Sequence, residues 1–187
     1  MASKSAYQEE LTLPEDVKAS FSDGVLIVSG PKGEVSKTFV HPLVGVDVDK
    51  DSEGNDAIII SSDVFTLREK KLARTFRAHI RNMFKGVRQG HEYKLKICSG
   101  HFPMTVSVKG NVLEIKNFFG EAVPRRYSFD SSVAVKVNGE IIVVSGIKKE
   151  LVAQTAASIE QLTKRPGFDK KVFQDGIYII EKDGKSL

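Results

Sequence analysis

The chain has 187 residues, 28 Lys and Arg against 24 Asp and Glu, a net charge of +4, 41% hydrophobic residues and one cysteine. That length allows one ordinary domain or two small ones, and the balance of aliphatics to charge excludes a disordered chain. Cys98 stands alone, which excludes a disulfide framework and a cysteine-rich zinc site.

The opening MASKSAYQEE lacks the apolar stretch of a signal peptide, and nowhere do 18 apolar residues run together. The reading is therefore a soluble protein of a reducing, intracellular compartment with no membrane partner. Residues 1–10 read as an N-terminal extension. Asp23-Gly24 then separates the alternating runs Val17-Lys18-Ala19-Ser20-Phe21 and Val25-Leu26-Ile27-Val28, a strong hairpin signal. A second hairpin is expected around Glu53-Gly54-Asn55-Asp56, joining Val46-Asp47-Val48 to Ala57-Ile58-Ile59-Ile60. A helix follows from about Thr66, with Asp63 as its expected cap.

The same order recurs downstream. Gly110-Asn111 separates Met104-Thr105-Val106-Ser107-Val108 from Val112-Leu113-Glu114-Ile115, and Asn138-Gly139 separates Val133-Ala134-Val135-Lys136-Val137 from Ile141-Ile142-Val143-Val144. A second helix is expected over 148–164, with Leu151, Ile159 and Leu162 for packing. Asp23-Gly24 and Gly33-Glu34 align with Gly110-Asn111 and Gly120-Glu121 at one offset, and Leu72 and Ile80 align with Leu151 and Ile159 at a slightly shorter one. This is the pattern of an internal duplication. Two glycines and Gln89 interrupt the chain at 86–90. The predicted fold is α+β: two tandem similar domains, 11–88 and 89–181, each a mostly antiparallel β-sheet packed with one α-helix, then a flexible tail, 182–187. A further strand is expected over Val172-Phe173-Gln174-Asp175-Gly176-Ile177-Tyr178-Ile179-Ile180.

No catalytic constellation is visible. The four histidines, at 41, 79, 91 and 101, have no second metal ligand at helical spacing, and Cys98 reads as a small buried thiol in a strand. Framed on Asp49, the acidic run resembles a calcium loop, but Ile60 stands at the twelfth position where the bidentate Glu is needed, so it reads as a solvated hairpin tip. Gly30-Pro31-Lys32-Gly33-Glu34 is too short for a phosphate loop and reads as a tight turn with Lys32 exposed. No enzyme, metal, cofactor or small-molecule substrate is expected.

Positive charge is concentrated in three places. In the first helix Ala73, Phe76, Ile80, Phe84 and Val87 form an apolar stripe, and Arg74, Arg77, Arg81, Lys85 and Arg88 form a second stripe about 100° round. Residues 68–88 hold eight Lys and Arg and the single acid Glu69, so this stripe faces a polyanion, an acidic protein partner or plain solvent. The loop 164–171 carries Lys164, Arg165, Lys170 and Lys171, with Pro166 and Gly167 stiffening it, and reads as a phosphate-binding or a merely solubilising loop in which Phe168 either anchors the chain or stacks on a base. On Arg125-Arg126 adjacent strand side chains point to opposite faces, so one of them reaches a partner. Together these patches point to structural RNA binding with a strong salt dependence; a protein–protein adaptor using the helix stripe is the alternative.

The turn Gly30-Pro31-Lys32-Gly33-Glu34, the segment Arg81-Asn82-Met83-Phe84-Lys85-Gly86-Val87 and above all the stretch 154–182, with Val172-Phe173-Gln174-Asp175-Gly176-Ile177-Tyr178-Ile179, resemble motifs of the large-subunit ribosomal protein L six family in its archaeal/eukaryotic branch. Lys170-Lys171 stand where the bacterial branch carries a Lys-Gly-Lys-Gly-type loop, without its glycines. The resemblance implies two related domains and a place in the cytoplasmic ribosome, beside the factor-binding centre and the sarcin–ricin stem-loop of the large rRNA. It implies that the C-terminal domain makes most of the rRNA contact, with other large-subunit proteins as neighbours, no specific homo-oligomer and no enzymatic activity.

Overall fold

The computed structural model describes residues 7–50, 56–64, 66–169 and 171–187. The chain divides into two compact units, Met1–Gln89 and Gly90–Leu187.

In the first unit, β1 (Tyr7–Thr12), β5 (Gly45–Lys50) and β6 (Asp56–Ser62) form one antiparallel sheet in the order β1-β6-β5. The strands β2 (Lys18–Ser22), β3 (Val25–Gly30) and β4 (Gly33–Thr38) form a second, meandering one. The helix α1 (Leu67–Arg88) packs against β1, β3, β4 and β6. Leu26, Val28, Ile58, Ile60, Ala73, Ile80 and Val87 are wholly buried where these elements meet. The expected stripe of α1 gains Met83, while Phe76 is half-buried and meets the edge of Phe39 at 5.1 Å. At the start of α1 the cap residue is Thr66, without a side-chain cap bond, so Asp63 does not perform the capping expected of it.

The second unit repeats the plan. Its strands are β7 (His91–Cys98), β8 (Thr105–Lys109), β9 (Val112–Lys116), β10 (Arg125–Ser128), β11 (Val133–Asn138) and β12 (Ile141–Gly146), followed by α2 (Lys149–Leu162). The meander β8-β9-β10 corresponds to β2-β3-β4, and the order β11-β12-β7 to β5-β6-β1. Ile80 and Ile159, paired by the sequence alignment, are both wholly buried, and Leu72 and Leu151 are both half-buried. The duplicated α+β fold is thus present, each sheet antiparallel and each unit built on one helix. To the free edge of β7 the second unit adds β13 (Gly176–Lys182), which pairs with β7 through a bulge, and then β14 (Lys185–Ser186).

The structure differs from the sequence reading at both ends. Residues 7–10 belong to β1, because Tyr7, Glu9 and Leu11 alternate inward against β6 and its Ile60 and Ile58. Residues 182–187 hold the turn into β14, secured by the Asp183 N–H donating to the Glu92 carbonyl and by His91 Nδ1 at 3.1 Å from Asp183 Oδ1. The second hairpin forms between β5 and β6, although its tip, 51–55, lies outside the described residues. Cys98, expected to be buried, is half-buried at the end of β7.

Candidate nucleic-acid interface

The turn from β3 to β4 closes on the end of α1. A Cβ at Gly30 would stand 2.9 Å from a Val87 methyl and 3.1 Å from the Val87 carbonyl, so only glycine admits this approach. The Lys32 N–H then donates to the Val87 carbonyl at 2.9 Å, and the Lys32 ammonium donates to the Gln89 carbonyl. The motif read as a bare exposed turn therefore caps the negative end of the helix dipole with a cation.

The equivalent connection in the second unit, between β9 and β10, does the same with Arg125. Its Nη1 donates to the Leu162 carbonyl at the end of α2 at 2.5 Å, while Nε and Nη2 fork onto Glu121 at 2.8 and 2.6 Å. The guanidinium carbon also lies 4.4 Å from the centre of the buried Phe118 ring. Hydrogen bonds from Arg125 hold the Glu121 carboxyl below its ordinary pKa against the opposing effect of burial. All three guanidinium nitrogens of this side chain are engaged within the unit, so Arg125 organises the fold. Arg126 points the other way and is 67% exposed, resting on Glu114 at 2.8 Å. The hydrogen bond from Arg126 is the main reason the Glu114 carboxyl lies low.

The α1 stripe is met by acids from its own unit. Arg77 reaches Glu9 Oε2 at 3.3 Å, and Arg74 lies 3.9 Å from Glu9 Oε1. Arg88 pairs with Asp16 at 2.9 Å. Arg81 is exposed and has no ion pair among the described residues, whereas Lys85 is half-buried and engaged. A shallow groove of about 430 Å³ runs over Arg74, Arg77, Ala78, Arg81 and Asn82.

The loop after α2 is built differently. Lys164 and Lys171 are exposed and have no ion pair among the described residues; Lys170 lies outside the described residues. Arg165 is half-buried, its guanidinium carbon lying over two rings, 4.0 Å from the centre of Phe168 and 4.9 Å from that of Phe119. Phe168 packs on Phe173 at 5.3 Å and Phe119 at 6.0 Å yet stays 39% exposed, so it anchors the loop and keeps part of its ring open to solvent. Beneath it Asp175 is buried, accepting the His101 N–H at 2.9 Å and lying 2.8 Å from His101 Nδ1. Burial pushes the Asp175 carboxyl up, but hydrogen bonds from the His101 backbone and ring and the Gly100 backbone leave it below the ordinary carboxylate value. A Cβ at Gly176 would stand 3.3 Å from the Tyr178 ring, so the glycine lets that ring fold back over the strand. These contacts rationalise Asp175 and Gly176 of the Gln174-Asp175-Gly176 motif. Its sequence likeness pointed to the region but not to the aromatic cluster of Phe119, Phe168 and Phe173.

Among the described residues no three His, Cys, Asp or Glu side chains come together to hold a metal ion, and no helix is long and apolar enough to cross a membrane. What the two units share is a cation, Lys32 in one and Arg125 in the other, bonded to a carbonyl at the end of the helix. The model of the family described as "Ribosomal protein L6" matches residues 13–90 and again 102–176, one match on each unit, and the chain belongs to that family. It is 42% identical over 180 residues to "Large ribosomal subunit protein uL6" of Methanococcus vannielii, covering 96% of each chain. The protein of the same name from Methanosarcina mazei is 44% identical over 92% of this chain and 95% of its own. That of Methanobrevibacter smithii is 40% identical over 98% and 100%. These relatives are ribosomal proteins of archaea, and their names are not those of enzymes.

Proposed function

We propose that this chain is a structural constituent of the large subunit of the cytoplasmic ribosome that binds large-subunit rRNA, chiefly through its second unit, and supports translation. The observation that carries the assignment is the near-full-length identity to proteins named for that subunit. Lys164 and Lys171, exposed and unpaired among the described residues, supply phosphate contacts together with Lys170, Arg165 and the exposed Arg126. Arg125 acts as a positioning residue at the base of this surface. Arg74, Arg77, Arg81, Lys85 and Arg88 add a weaker field, because Glu9 and Asp16 already neutralise part of it. The resemblance to the family supports a place beside the factor-binding centre, at the sarcin–ricin stem-loop, with other large-subunit proteins alongside.

Sedimentation of a ribosome extract tests this reading. The chain is expected to co-migrate with large subunits at low salt and to leave them at high salt. A chain that stays at the top of the gradient at both salt concentrations contradicts it. Chemical protection of the sarcin–ricin stem-loop on adding the chain to depleted subunits tests the finer placement.

A further inference from the structure

Between α2, the loop 164–171 and β13 lies a cavity of about 170 Å³. Its walls include the rings of Phe119, Phe168 and Tyr178, with Arg165 at its rim and Glu160 on one side. A surface meant only to attract phosphate has no use for such a recess. Phosphates are met by exposed cations, and Lys171 stands outside the cavity with Lys164 on its wall. Two carboxylates, Glu160 and Asp175, line the cavity beside Lys164 and Arg165, so its wall is mixed in charge where a phosphate pocket would be cationic.

Aromatic faces, a flat guanidinium and an acceptor-only group suit another part of RNA. We propose that this cavity receives one unstacked RNA base bearing an exocyclic amino group, adenine, guanine or cytosine, while Lys164 and Lys171 hold the flanking phosphates. The base lies against Phe168 and the Arg165 plane, as unpaired bases lie on aromatic and arginine surfaces elsewhere. Glu160 Oε1 accepts the Ile179 N–H at 3.2 Å, and among the described residues its other oxygen is unengaged, leaving lone pairs for an amino group of the base. Uracil lacks the amino group and has only its ring N3–H, flanked by two carbonyl oxygens that the carboxylate repels. The His101–Asp175 pair fixes the position of Phe173 from below, with the His101 ring 5.4 Å from that of Phe173, so the floor is held in place before RNA arrives.

This inference rests on the rRNA-binding reading, and the test separates the two. The full chain is bound to protein-free large-subunit rRNA, irradiated with ultraviolet light, and the adducts are located by mass spectrometry. A crosslink between a base and Phe168 or Phe119 is expected, and the base should not be uracil. Phe168→Leu should weaken binding about tenfold or more while leaving the salt slope unchanged, because a stacking contact and no ionic contact is lost. Phe168→Trp should restore it, and thermal unfolding of both variants reports that the fold is kept. Full affinity in Phe168→Leu, or crosslinks confined to uracil or to other peptides, overturns the cavity assignment alone. Failure of the unaltered chain to bind rRNA overturns the RNA reading and this inference with it.

Discussion

The two units place a cation at the same structural point, the end of their helix, and spend the rest of their positive charge in opposite ways. In the first, Lys32 caps α1, and Arg74, Arg77 and Arg88 along that helix meet Glu9 and Asp16 from the strand and loop beside it. In the second, Arg125 caps α2, and beyond it Lys164 and Lys171 stand unpaired among the described residues while Arg165 is laid on aromatic rings. The richer stripe is therefore the weaker candidate for RNA. Charge along a helix measures binding capacity only after the acids that fold against it have been counted.

Substitutions can break or sharpen this contrast. The largest effect on stability is expected from Arg125→Met, which leaves Glu121 and the Leu162 carbonyl without their partner. Loss of charged hydrogen bonds in a half-buried setting should cost about 2–3 kcal/mol, read by chemical denaturation, with rRNA affinity kept under conditions where the chain is folded. Unchanged stability together with lost affinity would make Arg125 an RNA contact after all.

Next comes Asp175→Asn, expected to cost about 1–2 kcal/mol through the weakened His101 contacts. The carboxyl at 175 lies low in the folded state, so the unfolded chain binds its proton more readily. Its contribution is present above the unfolded carboxylate value, about 3.9, and is lost as pH falls through the folded one. The variant should accordingly show a shallower acid limb in a stability–pH profile; an identical limb would argue against the role given to Asp175.

Glu9→Gln removes the charge of an inward carboxyl that also accepts from the Tyr7 hydroxyl and should cost about 1 kcal/mol, yet release Arg74 and Arg77 and raise non-specific RNA affinity in a filter-binding assay. If affinity stays level, intramolecular neutralisation is not what restrains the α1 stripe. Smaller still is Lys32→Met, at about 0.5 kcal/mol, because an exposed cation at a helix end contributes little.

Much of the fold was legible because its signals are local. Asp23-Gly24, Gly110-Asn111 and Asn138-Gly139 mark turns between alternating runs, and the spacing of Ala73, Ile80, Phe84 and Val87 defines the buried face of α1. β1 escaped notice because Glu9 occupies an inward position where a hydrophobic residue is looked for. Its reason is a pair of arginines more than 60 residues further on, which no window along the chain contains. Arg125 was recognised as cationic and half of its pair as inward, but the carbonyl that captures it lies 37 residues away. The loop 164–171 was legible as charge. The rings that turn it into a walled recess come from separate connections and meet only in the folded unit.

The central claim, that the second unit carries the RNA-facing charge, is tested most directly by salt slopes of rRNA binding for two variants of the full chain. One neutralises Lys164, Arg165, Lys170 and Lys171 to Gln; the other neutralises Arg74, Arg77, Arg81 and Arg88. The first should reduce the slope of log K against log salt by about 3, and the second by about 1 or less. Equal losses, or a larger loss from the α1 variant, would contradict the account.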